Sequence, residues 1–211
     1  MNNIELCEQL VKDIYIHFDA SHDFHHIERV RENARKISIE EGNVRSDIIE
    51  LAVLLHDVSD VKYSGLEGKK KENDILDQLS LPLTDRKWIV DIIESVSFSG
   101  GKEKPASSLE AKIVRDADRL DAIGAVGIAR TFAFGGAKGR KLYDWSEVPR
   151  TNMTENQYRN VETSSVTHFY EKLFLLKDLM VTETGKKLAL QRHEFMLAFI
   201  DQLKIETSEV N

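Results

Sequence analysis

Apolar positions in this 211-residue chain recur at three- and four-residue intervals, and nothing alternates with period two long enough to specify a sheet. Ile4, Cys7, Leu10, Val11, Ile14 and Tyr15 keep the helical period and predict a first amphipathic helix. A second starts near Asp23, a favourable N-cap type, and carries Ile27, Val30, Ala34 and Ile37 inward until Gly42-Asn43 ends it. From about Ser46 to Val58 the run Leu51-Ala52-Val53-Leu54-Leu55 has no polar face, which predicts a buried helix. A charged helix from roughly Glu67 to Leu79 follows. Another begins at Thr84-Asp85, with Trp88, Ile89, Ile92, Ile93 and Val96 as its stripe. Phe98 to Ser108 is loop by composition. Leu109 to about Phe134 reads as a long helix rich in small residues and broken near Gly124.

Gly135 to roughly Glu155 predicts a second long loop, Gly-rich at its start and basic in its middle; loops of that length are often functional. Two amphipathic helices, about 155–179 and 184–204, close the chain. Pro82, Pro105 and Pro149 each fall where a helix is expected to start or stop. The expected fold is all-α, a single-domain helical bundle over residues 1–211.

Composition narrows the function classes. A hydrophobic content of 41% fills a core, and a net charge of −7 argues against nucleic-acid polymers, which call for a basic footprint. A small anion, needing only a local positive patch, stays open. The single cysteine, Cys7, cannot form an intramolecular disulfide, which suits a reducing compartment. Neither a signal-peptide pattern nor an apolar run near the ~18 residues of a membrane span occurs. The expected location is cytoplasmic, away from membranes, with homo-oligomerisation left open.

The chemistry starts where the apolar run Leu51–Leu55 meets His56-Asp57. An ionised carboxylate at the end of a core segment requires a partner charge or a metal. Two other stretches carry suitable residues: Ser21-His22-Asp23-Phe24-His25-His26 and Asp116-Ala117-Asp118-Arg119-Leu120-Asp121. Together the three predict a site for a divalent ion. Imidazole and carboxylate ligands suit Mn, Fe, Co, Ni or Zn without choosing sharply among them. In the third stretch Asp116 and Asp121 compete with Asp118 on composition.

In order and wording, His26-Ile27-Glu28-Arg29-Val30, Leu54-Leu55-His56-Asp57 and Ala117-Asp118-Arg119-Leu120 resemble the HD-domain metal-dependent phosphohydrolase superfamily. Ser21-His22-Asp23, Gly100-Gly101-Lys102 and Phe134-Gly135-Gly136-Ala137-Lys138-Gly139-Arg140 are similar to a bacterial subgroup of stand-alone HD hydrolases. The core motifs span about 22–121, and the likeness weakens over the last two helices. The resemblance implies His26, His56, Asp57 and Asp118 as metal ligands and a metal-bound water as nucleophile. Manganese is the expected ion, with Co, Ni, Fe, Zn or Mg as alternatives.

Asp60 lies three residues beyond Asp57 and is a candidate proton carrier. His22 is another, and Asp23 is placed to orient a ring. Lys102, Lys138, Arg140 and Lys141 are candidate phosphate contacts, Arg as a bidentate fork and Lys as a point charge. Asp121 is equally well read as pairing with Arg119. Lys69-Lys70-Lys71 reads as a solvated face, His25 as surface, and His168 and His193 as structural. Phe132, Phe134, Tyr143 and Trp145 serve either as core or as a stacking platform for a base.

The expected substrate is a small phosphorylated molecule, foremost a nucleotide, with release of pyrophosphate or phosphate from a nucleoside triphosphate. Cyclic-dinucleotide or alarmone hydrolysis and a non-catalytic nucleotide sensor are the alternatives.

Overall fold

The computed structural model describes residues 1–19, 22–60, 64–96, 104–150 and 163–207. Among them are nine α-helices and no strand: α1 (Asn3–Tyr15), α2 (Phe24–Glu41), α3 (Ser46–Leu55), α4 (Gly68–Gln78), α5 (Leu83–Val96), α6 (Leu109–Asp121), α7 (Gly124–Ala137), α8 (Ser165–Glu171) and α9 (Glu183–Thr207). A 3₁₀ turn, Gly65–Glu67, precedes α4, and a longer one, Leu173–Leu179, follows α8. The chain forms two compact units, Met1–Asp118 and Arg119–Asn211, with the division inside α6.

In the first unit α3 is the hub, packing against α1, α2 and α5. All five side chains from Leu51 to Leu55 are buried. Each contributes up to about 1.5–3 kcal/mol of apolar burial if large, which explains why the helix carries no polar face. Its neighbours start where local chemistry dictates. Asn2 and Glu5 form a reciprocal capping box on α1, with Glu5 N donating to Asn2 Oδ1 at 2.9 Å and Asn2 N donating to Glu5 Oε2 at 3.0 Å. Asp23 caps α2 by accepting His26 N–H at 3.0 Å.

The end of α3 falls short of the expected boundary, at Leu55 rather than Val58. Side chains intercept its last carbonyls. Tyr15 Oη donates to Leu54 O at 3.1 Å, and His56 Nδ1 lies 2.8 Å from Val53 O. Residues 56–60 then follow tight turns, with Val58 N donating to Leu55 O and Asp60 N to Asp57 O. The lysine run in α4 is not wholly solvated either. Lys69 Nζ reaches the fully buried Glu72 carboxylate at 2.6 Å, because an ionised side chain there demands a counter-charge.

In the second unit α9 packs against α7 and the 3₁₀ segment, and α8 packs against α7. Phe132, Phe169 and Phe199 form its aromatic centre, with ring centroids 5.7–6.2 Å apart. Tyr143 stacks on Trp145 at 5.4 Å, and Trp145 Nε1 donates to Thr207 Oγ1 at 3.0 Å. The break expected near Gly124 is present, at a φ of +77° that favours glycine.

Two expectations are corrected. Gly135 and Gly136 belong to α7, and the loop begins at Lys138, because Lys138, Gly139 and Arg140 donate backbone N–H groups to the carbonyls ending the helix. The expected helix over 155–179 is interrupted as well. Residues 155–162 lie outside the described residues, and α8 ends at Lys172, whose φ and ψ of −140° and −57° leave the helical region.

Candidate metal centre

Three segments of the first unit converge. His26 enters from the first turn of α2, its backbone fixed by the Asp23 cap. His56 and Asp57 follow the end of α3, and Asp118 lies in the last turn of the unit's share of α6. The two imidazole Nε2 atoms are 3.4 Å apart. Asp57 Oδ2 lies 3.4 Å from His26 Nε2 and 3.5 Å from His56 Nε2. Asp118 Oδ1 lies 3.6 Å and 3.8 Å from the same nitrogens. Ligand atoms of a first-row divalent ion sit about 2.0–2.2 Å from it, hence about 3–4 Å from one another. All five separations fall in that range.

The chemistry of the donors agrees with the distances. With His56 Nδ1 against Val53 O, its hydrogen is committed there and Nε2 turns a lone pair toward the cluster. Both rings are buried, whereas Asp57 and Asp118 keep partial exposure. Asp57 Oδ2 is buried and has no directed hydrogen-bond partner, an orphaned oxygen that calls for a cation. The residues fit a divalent ion.

Electrostatics tell the same story. Burial depresses the His56 imidazolium, yet the Asp57 and Asp118 carboxylates outweigh it and raise the group to about 10. Burial disfavours ionised Asp57, but His56, His26 and His22 hold its carboxyl well below the usual range. Asp118 is likewise held low against burial by His56 and His26. The cluster thus keeps its carboxylates charged and attracts positive charge to the imidazole nitrogens.

The remaining candidates divide. The His22 ring sits 5.5 Å from the His26 ring, and its Nδ1 lies 3.8 Å from Asp19. Asp23 accepts the His26 backbone N–H at 3.0 Å as the cap of α2. Asp60 is tied into the turn beyond Asp57 through its backbone N–H at 3.1 Å from Asp57 O. His25 is exposed and faces Glu28 at 3.0 Å.

Asp121 pairs with Arg130 at 2.6 Å. Lys138 and Arg140 lie over the Phe134 ring, 5.9 Å and 5.5 Å from its centroid, in the second unit. Lys141 is exposed and paired with Asp144 at 2.7 Å. Lys102 lies outside the described residues.

Two supporting residues escaped the sequence reading. Buried Asn33 donates its amide to Ala117 O at 3.1 Å, bracing α6 immediately before Asp118. Its signal was positional: seven residues after His26, it interrupts the apolar stripe of α2 with a polar group. Tyr15, read only as a member of the α1 stripe, anchors the carbonyl end of α3.

The His26, His56 and Asp118 donors, mutually within 4.8 Å and with Asp57 Oδ2 against both rings, suit an all-helical hydrolase that depends on a divalent metal. The HD domain family model matches residues 23–123, spanning every member of the cluster. An HD-superfamily hydrolase from Bacillus thuringiensis is 43% identical, with 96% of this chain and 95% of that one covered and a TM-score of 0.76. A protein of known structure from Lactobacillus plantarum is 37% identical over 98% of this chain and 97% of its own, with a TM-score of 0.85. Bacillus subtilis YpgQ, solved in complex with ADP, is 36% identical over 99% and 100% of the two chains, with a TM-score of 0.75. The chain belongs to the HD-domain metal-dependent phosphohydrolase superfamily.

Proposed function

We infer that this phosphohydrolase acts on a nucleotide, cleaving a phosphoanhydride bond of a nucleoside triphosphate to release pyrophosphate or phosphate. The observation that carries the reading is the convergence of His26, His56 and Asp118 on one point, with Asp57 beside both rings. The ADP complex of YpgQ supports a nucleotide as substrate class. In this reading these four side chains hold the ion, with manganese the expected metal and Co, Ni, Fe, Zn or Mg as alternatives. A divalent ion there acidifies water and polarises a phosphoryl oxygen.

The chain's own residues do the rest. His56 is locked in one tautomer by Val53 O, which keeps Nε2 available as a donor atom throughout turnover. Asp60, three residues past Asp57, accepts the proton released from the attacking water, and His22 beside His26 is the second proton carrier. Lys138 and Arg140 receive phosphate charge, the guanidinium by directed hydrogen bonds. Lys141 contributes after release from Asp144.

A panel of nucleoside mono-, di- and triphosphates assayed with Mn, Co, Ni, Zn and Mg, with products resolved, tests the proposal. Phosphate or pyrophosphate release that requires metal and vanishes in Asp118→Asn is the expected result. Tight nucleotide binding with no product under any metal would overturn it in favour of a sensor.

A further inference from the structure

The phenol of Tyr15 is fully buried and touches both turns that carry the histidines of the cluster. Its ring packs against Phe24, two residues before His26, at a centroid distance of 6.4 Å, and Phe18 braces it edge-on at 5.2 Å. Its hydroxyl donates to Leu54 O at 3.1 Å, two residues before His56. The Asp57 backbone N–H faces the same hydroxyl oxygen. Burial and the nearby Asp57 carboxylate push the phenol well above its ordinary pKa, so the hydroxyl keeps its proton and remains a donor.

Beyond Asp57 the turn is held by its contact with α4. Asp60 N donates to Asp57 O at 3.1 Å, and Ser64 N donates to Asp60 O at 2.9 Å. Buried Gly68, the first residue of α4, lies directly against this stretch. A Cβ on it would be 2.9 Å from Ser59 Cα, 3.1 Å from Ser59 C and 2.9 Å from Ser64 Cβ. Two of those three atoms are backbone, so a side chain at position 68 would have to displace the turn itself.

Neither contact reaches the ion-facing atoms. Both act on the backbone that carries them, and a donor atom must stand about 2.0–2.2 Å from its ion, so a small displacement of the turn is felt there.

We propose that Tyr15 and Gly68 are positioning residues for the metal-dependent reaction, the hydroxyl of one and the bare Cα of the other fixing the turn from which His56 and Asp57 present their donor atoms. This rests on the reading of His26, His56, Asp57 and Asp118 as the ligands of the ion.

Titration of Mn into the full chain, followed by the electron paramagnetic resonance of the free ion, tests it in wild type, Tyr15→Phe and Gly68→Ala. Tyr15→Phe keeps the ring and its packing and removes only the hydroxyl. Val11→Ala is the comparator: it opens a cavity on the same buried stripe of α1 and leaves the hydroxyl in place. Tyr15→Phe and Gly68→Ala should each bind Mn about ten-fold more weakly, as loss of the groups that support metal ligands does. Val11→Ala should lower Tm and bind Mn as wild type does. If Gly68→Ala does not fold, Tyr15→Phe decides alone.

Wild-type Mn affinity in Tyr15→Phe, or an equal loss of affinity in Val11→Ala, would overturn the proposal and leave the metal centre standing. Failure of the wild-type protein to take up Mn would overturn the ligand reading and the proposal with it, a result distinguished by appearing before any substitution is made.

Discussion

Replacing Asn33 with leucine tests how the helical scaffold controls the metal centre. The side chain is 4% exposed and its amide nitrogen lies 3.1 Å from Ala117 O, one residue before Asp118. Leucine has the same branched skeleton but is bulkier and adds apolar burial, so no cavity forms and the lost hydrogen bond, with some overpacking, dominates. That loss costs about 1–2 kcal/mol once the desolvated carbonyl is included. For a chain of this size each kcal/mol lowers Tm by about 2–4 °C, which gives an expected fall of about 2–8 °C.

The informative part is the second readout. If the amide positions Asp118, its removal should weaken Mn binding about ten-fold or more, as deletion of outer-layer partners at metal sites does. Mn affinity is read directly from the electron paramagnetic resonance of the free ion during titration. A lowered Tm with wild-type Mn affinity would refute the reasoning, since Asn33 would then brace the fold without bearing on the donor atoms.

Other outcomes follow from the same coordinates. His56→Ala should abolish the Tm increase that Mn gives the wild-type protein, about 2.7 kcal/mol at a hundred-fold excess over Kd, and should reduce hydrolysis at least a thousand-fold; scanning calorimetry and product assays check both. Desolvation, with Lys172 and Arg140, holds His168 down to about 3 from an ordinary 6.5. Between those pH values the unfolded chain takes up a proton that the folded one does not, so its contribution is complete above about 6.5 and is lost as pH falls toward 3. In His168→Phe the drop in urea midpoint from pH 7 to pH 4.5 should accordingly be smaller than in wild type. Burial, aided by Glu8, pushes the Cys7 thiol up to about 12, so alkylation at pH 8 should track global unfolding; rapid labelling of native protein by a thiol reagent would contradict this.

Much of the fold was legible because helix period and end chemistry are local. The stripes of α1, α2, α5 and α9, the Asp23 cap and the break at Gly124 all depend on residues within a few positions of one another. The metal motif was legible for a related reason. A carboxylate following five apolar residues needs a counter-charge wherever it lands, and few side chains in this chain satisfy that need.

What the chain order cannot express is which distant group takes a given carbonyl or charge. Tyr15 and the His56 ring end α3 early by claiming the carbonyls of Leu54 and Val53. Asp121 takes Arg130, nine residues on and in the next helix, because folding makes that partner available in the desolvated interior. Ser165 reaches Gly135 across thirty positions of sequence only after α7 and α8 have packed. Sequence alone determined most of the helices and their caps, since these follow from local sterics, while the choice of Asp118 among neighbouring aspartates came from the family motif. Tertiary structure decided the pairing of side chains, because hydrogen bonds and ion pairs between remote residues are selected by distance in space.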